Sequence, residues 1–112
     1  MITNISKGTV LALRETKADN FFARAMGLMG RSNFSAQEAM VIVPCRSVHT
    51  FFMRFPIDII FLDKDNRIIE IIESMKPFRL SRINYRAYSV VELAAGTIHA
   101  TQTTAGDSLL FK

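Results

Sequence analysis

A chain of 112 residues, 49% hydrophobic and 21% charged, is large enough for one core that needs neither metal nor disulfide support. Its single cysteine excludes an internal disulfide, and residues 1–14 hold no apolar run of the length a signal peptide or membrane span needs, so a soluble cytoplasmic protein with no membrane partner is expected. Fourteen Lys and Arg against ten Asp and Glu give +4, a balance that permits contact with polyanions but equally suits plain solubility.

No repeat, low-complexity stretch or linker interrupts the chain, and residues 1–112 read as one globular domain. Thr9 to Leu13, behind Gly8, is a short β-like run ending at Arg14-Glu-Thr-Lys17, and reads as an outer strand. Asp19 can cap a helix in which Phe22, Ala25, Met26 and Met29 recur at helical spacing before Gly30. An amphipathic helix is therefore predicted over Asp19 to Met29, with Gly27 where helix and sheet backbones approach. Ser35-x-x-Glu38 has the form of a capping box, with room for about one helical turn before the strand Met40–Val43.

The densest apolar stretch follows. From Cys45 to Phe55 a strand would place Cys45, Ser47, His49, Phe51, Met53 and Phe55 on a buried face and Arg46, Val48, Thr50, Phe52 and Arg54 on a wet one. Pro56 marks an edge, a bulge or a strand start. Ile57–Leu62, apolar on both faces except at Asp58, reads as a central strand, and Asp58 requires backbone N–H groups or an arginine as partners. The turn-forming residues 63–66 join it in a hairpin to Arg67–Glu73, where Ile69 and Ile71 would oppose Ile68 and Ile72, with Glu70 among them. Residues 76–86 read as a long surface connection carrying Lys76, Arg79, Arg82 and Arg86. Ala87–Leu93 is a strand with Tyr88, Val90 and Glu92 on one face and Ser89, Val91 and Leu93 on the other. Gly96 breaks it, one helical turn can follow, and Gly106-Asp107 leads into a last strand, Ser108–Phe111.

The pattern Gly27-Leu-Met29, Cys45-x-Ser-x-His49-Thr-x-x-Met53-x-x-x-Ile57-Asp58-x-x-Phe61-Leu-Asp63, Glu92-Leu-x-Ala-Gly96 and Gly106-Asp107-x-Leu109 resembles domain of unknown function family 192, from about Leu11 to Leu110. The resemblance implies a mainly β fold with one α-helix, of α+β character, as a compact sandwich or partly open barrel. It implies no reaction and no catalytic residues. The chain departs from the family pattern at Ala39 and Arg86, where glycine is common.

Chemical candidates are weighed on their own residues. Cys45, His49 and Met53, four residues apart on an extended strand, stand roughly 13 Å from one to the next, too far for a shared metal, so no metal or other cofactor is expected. No Gly-rich phosphate cradle precedes a helix, and no recognition helix or regular aromatic–basic platform supports sequence-specific nucleic-acid binding. Asp58 and Glu92 could in principle pair for acid–base work, though each more often satisfies backbone groups. The reading is a small ligand-binding module in which His49, Phe52, Arg54, Asp58, Arg79, Arg82 and Glu92, with Phe78 and Tyr85 nearby, form a basic and aromatic pocket for an anionic or aromatic ligand. The alternative is an enzyme that uses His49 with Asp58 or Cys45, Cys45 otherwise being a buried, reduced core thiol.

Overall fold

Aliphatic runs broken by short polar turns give eight strands, β1 (Ile2–Asn4), β2 (Thr9–Ala12), β3 (Arg14–Ala18), β4 (Glu38–Ile42), β5 (Ile57–Leu62), β6 (Ile68–Met75), β7 (Ser89–Ala94) and β8 (Leu109–Phe111), with one short helix, α1 (Thr97–Ala100). The computed structural model describes residues 1–18, 34–51 and 53–112, and these elements are counted among them. The helix predicted over Asp19 to Met29 lies outside the described residues. The strands form a three-stranded sheet, β2-β1-β8, and a five-stranded sheet, β3-β4-β7-β5-β6. The chain passes from one to the other at Leu13, where the backbone N–H groups of Leu13 and Arg14 both donate to the Gln37 carbonyl at 3.0 Å.

The larger sheet divides two apolar clusters. One lies between the sheets and joins Ile2, Leu11 and Leu109 of the small sheet to Ala39, Val41, Ile60, Leu62, Val91 and Leu93 of the large one. The other covers the opposite face with Met40, Ile42, Ile57, Ile59, Phe61 and Val90, beneath Val48 and Met53. The fold is a mainly β sandwich, and the described strands do not close into a barrel. Because β5, β7 and β4 are covered on both faces, they carry the near-continuous aliphatic runs that mark buried strands.

Several local expectations hold. β5 begins directly after Pro56 and is buried at all six positions; β5 and β6 form the hairpin; and a single helical turn follows Gly96, whose φ of 94° suits a residue without Cβ. Three are corrected. Ser35 and Glu38 bound a turn that leads straight into β4, with the Ser35 hydroxyl accepting the Gln37 N–H at 3.2 Å, so no helical turn forms there. In β6, Ile69 and Ile72 pack on one face and Ile68 and Ile71 on the other, because the register shifts by one residue between the Leu62–Ile68 and Phe61–Glu70 pairs. Such a bulge resets the alternation beyond it. Ala39, where the family pattern often has glycine, sits in regular pairing with Leu93 inside β4.

The third correction concerns Cys45–Phe55, whose described residues form no strand: among them only an isolated bridge, His49 to Leu80, interrupts irregular chain. Val48 and Thr50, assigned to the wet face, are buried, whereas Phe51 is exposed. The segment runs against residues 78–88 through bonds that never settle into a ladder: Cys45 N–H to the Tyr88 carbonyl, Asn84 N–H to Arg46, Ser81 N–H to Val48 and Thr50 N–H to Arg79. Thr50 gives the reason. Its hydroxyl donates to the Lys76 carbonyl at 2.5 Å and accepts the Arg79 N–H at 2.9 Å, occupying backbone groups a regular ladder would need. Pro77 removes a further donor from the facing chain.

At the edge of the small sheet, Asp107 collects Asn4 Nδ2 at 2.9 Å, Lys7 Nζ at 2.8 Å and the Thr104 N–H at 2.9 Å. Burial alone would raise its pKa, but the bonds from Asn4, Lys7 and Thr104 and the Lys7 charge outweigh that and hold it down to about 2, from 3.8. A carboxylate with a depressed folded pKa adds stability above its unfolded value, and that stability is lost as pH falls through the folded one. Acid denaturation monitored by circular dichroism should therefore show a loss between pH 3.8 and about 2 that is absent in Asp107→Asn. For the paired loops, Thr50→Val keeps the side-chain volume but strips partners from two backbone groups, and urea denaturation should register a loss of about 1–3 kcal/mol.

Candidate functional site

The pleat of the large sheet sorts the acidic candidates. Asp58 faces the inter-sheet cluster with Ile60 and Leu93, its partner in register, whereas Glu92 is paired with Ile59 and Met40 and faces the opposite cluster. Both are 0% exposed, on opposite sides of one sheet, so they do not form a carboxylate pair. The side chains of His49 and Asp58 are separated in the same way, since the loop carrying His49 covers the Glu92 face.

Asp58 has a complete structural explanation. Oδ1 accepts the Ser74 N–H and Oδ2 the Ile98 N–H, each at 2.8 Å. Ser74, with φ of 50°, lies in a second irregularity of β6, opposite the β5 segment Ile57–Ile59. Ile98 is in the first turn of α1, whose N-cap Gly96 has no side chain to offer. A strand carboxylate thus caps a helix that cannot cap itself. The partners are the backbone N–H groups foreseen for it.

The remaining candidates lie on or below the paired loops. The His49 ring stacks on Phe51 with centroids 5.0 Å apart, and Arg54, Arg79 and Arg82 are exposed. Phe52 lies outside the described residues. Glu70, on the same sheet face, accepts Asn84 Nδ2 at 2.8 Å and tethers the 76–88 segment to β6. Cys45 and His49 pair with opposite ends of that segment, at Tyr88 and Leu80. Cys45 is half-buried rather than buried, and its thiol donates to the Ser47 carbonyl at 3.0 Å.

Segments 44–56 and 76–88 contain Arg46, Arg54, Lys76, Arg79, Arg82 and Arg86 and no carboxylate; in the rest of the chain the eight other cations are outnumbered by ten acids. The excess positive charge therefore resides on the paired loops. At one end they enclose a cleft of about 570 Å³ lined by Pro44, Cys45, Arg46, Lys64, Ala87 and Tyr88. Cys45 N–H to the Tyr88 carbonyl, at 3.0 Å, ties two walls together, and Tyr88 N–H to the Leu62 carbonyl, at 2.8 Å, ties them to the end of β5. Lys64 is presented by a turn that Asp63 builds by accepting the Asp65 and Arg67 N–H groups. Arg46, Lys64 and Tyr88 were not among the sequence candidates, because three separate segments bring them together and no local pattern links them. Among the described residues no cluster of three or more His, Cys, Asp or Glu could hold a metal ion.

Replacing Asp58 should cost folding rather than binding. Asp58→Ala leaves the buried Ile98 N–H and the part-buried Ser74 N–H without their acceptor, and chemical denaturation should show a loss of about 1–3 kcal/mol, with Asn recovering part of it through its single carbonyl oxygen.

The comparisons agree with this architecture. The chain is 33% identical over 109 residues to a UPF0127 protein of Pyrococcus furiosus, covering 95% of this chain and 93% of the relative. A UPF0127 protein of Pyrococcus horikoshii is 32% identical over 97% of this chain and 96% of its own. A crystal structure of a protein of unknown function from Novosphingobium aromaticivorans superposes with a TM-score of 0.76 at 22% identity, over 87% of this chain and 74% of that one. A Sinorhizobium meliloti protein, described as a proposed transcription regulator, superposes at 0.72 with 27% identity, over 86% and 79%. The model of domain of unknown function family 192, described as uncharacterised ACR, matches residues 2–111, and the chain belongs to that family.

Proposed function

We propose that the protein is a small ligand-binding module whose site is the cleft between Cys45-Arg46, Lys64 and Tyr88, and that its ligand joins an anionic group to a ring. The observation that carries this reading is the lining itself: two exposed cations from different segments flank a phenol ring, with no carboxylate among the described lining residues. A guanidinium and an ammonium suit phosphate or carboxylate oxygens, and an aromatic face suits a planar ring. The volume of about 570 Å³ falls in the range of small-molecule sites. An enzymatic reading that couples His49 to Asp58 has less support, because the sheet stands between those side chains.

Phenyl phosphate and inorganic phosphate are suitable probes for isothermal titration calorimetry. Phenyl phosphate should bind more tightly than phosphate, and Arg46→Ala with Lys64→Ala should weaken it at least about tenfold, the effect of losing two charge-assisted contacts. Thermal stability should stay within about 0.5 kcal/mol of wild type, as for exposed surface changes. Equal affinity in the double variant, or no heat of binding from phenyl phosphate, would overturn the proposal.

A further inference from the structure

The paired loops carry a second feature that the cleft does not use. Along 78–85, Phe78 is 62% exposed, Leu80 69%, Ile83 55% and Tyr85 74%, interleaved with the exposed Arg79 and Arg82. Large apolar side chains held this far into solvent beside cations mark an interaction surface. The segment holding them is braced: the Phe78 and Arg79 N–H groups bond to Thr50, the Ser81 N–H to Val48 and the Asn84 N–H to Arg46. Phe78 has φ of 61°, a left-handed conformation that a bulky residue rarely adopts, so the surrounding bonds hold it in a costly geometry.

We propose that this segment docks the protein peripherally on an anionic phospholipid surface, its apolar tips entering the headgroup boundary and its arginines meeting lipid phosphates. Charge complementarity selects the partner: the paired loops hold six cations and no acid. Leu80 and Ile83 separate lipid from single-stranded nucleic acid. Aliphatic side chains offer bases no stacking surface, but they gain fully from entry into an acyl boundary, where aromatics and Arg are also at home. Docking of this kind needs no spanning segment, and no described helix is long and apolar enough to cross a membrane.

Co-sedimentation with vesicles tests it. The wild type should bind vesicles of phosphatidylcholine mixed with phosphatidylserine at least about tenfold more tightly than phosphatidylcholine alone, as a cluster of basic side chains near a charged surface requires. Added salt should weaken the binding. Arg79→Gln with Arg82→Gln and, separately, Leu80→Ser with Ile83→Ser should each reduce it severalfold while leaving the melting temperature unchanged. Equal or absent binding to the two vesicle types overturns the proposal, as does full retention by the Leu80/Ile83 variant, which would mean simple electrostatic adhesion. Tighter binding to a single-stranded oligonucleotide, lost in the same variants, would assign the surface to nucleic acid instead.

Discussion

The fold depends on a carboxylate placed where an aliphatic strand would otherwise be uniform. β5 is buried on both faces and flanked by β6 and β7, so a lone Asp58 carboxylate there would be prohibitive without partners. It has two, both backbone N–H groups that secondary structure leaves over: Ser74 at an irregularity of β6 and Ile98 in the first turn of α1. One side chain thereby joins the hairpin to the segment that leads back to the small sheet. The arrangement lets β6 deviate from its ladder and lets the chain turn after β7 on a glycine, without stranding buried donors.

On the other face the problem is reversed. The aliphatic surface of Met40, Ile59, Phe61 and Val90 must be covered, and the chain available carries arginines, prolines and aromatics that keep it from pairing as a strand. Among the described residues, two irregular segments contribute to it together with Phe34, with Val48 and Met53 pointing inward and Thr50 locking the two segments' backbones to each other. On the outer side of these segments lie cations and exposed rings. Loops held by a rigid scaffold are where binding surfaces are commonly found, and the cleft beside Tyr88 and the apolar tips along 78–85 both belong to this outer side.

Much of the sheet was legible from residue order. The aliphatic density of Ile57–Leu62, the turn residues 63–66 and the alternation in Ala87–Leu93 are local signals, and burial on two faces leaves such segments little other choice. β1 and β3 were not foreseen. β1 is three residues long, and β3, Arg-Glu-Thr-Lys-Ala, is a polar edge strand with no apolar period, extended because it pairs in parallel with β4. Cys45–Phe55 has the reverse history: its alternation reads as a strand, but side-chain bonds from Thr50 and the prolines around it outweigh a period of two.

By itself, then, the sequence determined a mainly β chain with a buried hairpin, a carboxylate that must be met by backbone donors or an arginine, and positive charge gathered in two segments. These follow from composition, spacing and the cost of burying a charge, which act on neighbours along the chain. Only the tertiary structure decided which face each side chain occupies. A single bulge inverts the alternation in β6, and the thickness of one sheet divides Asp58 from Glu92 and His49. The meeting of Arg46, Lys64 and Tyr88 likewise belongs to three segments whose approach is set by long-range backbone bonds, to which no local pattern of residues corresponds.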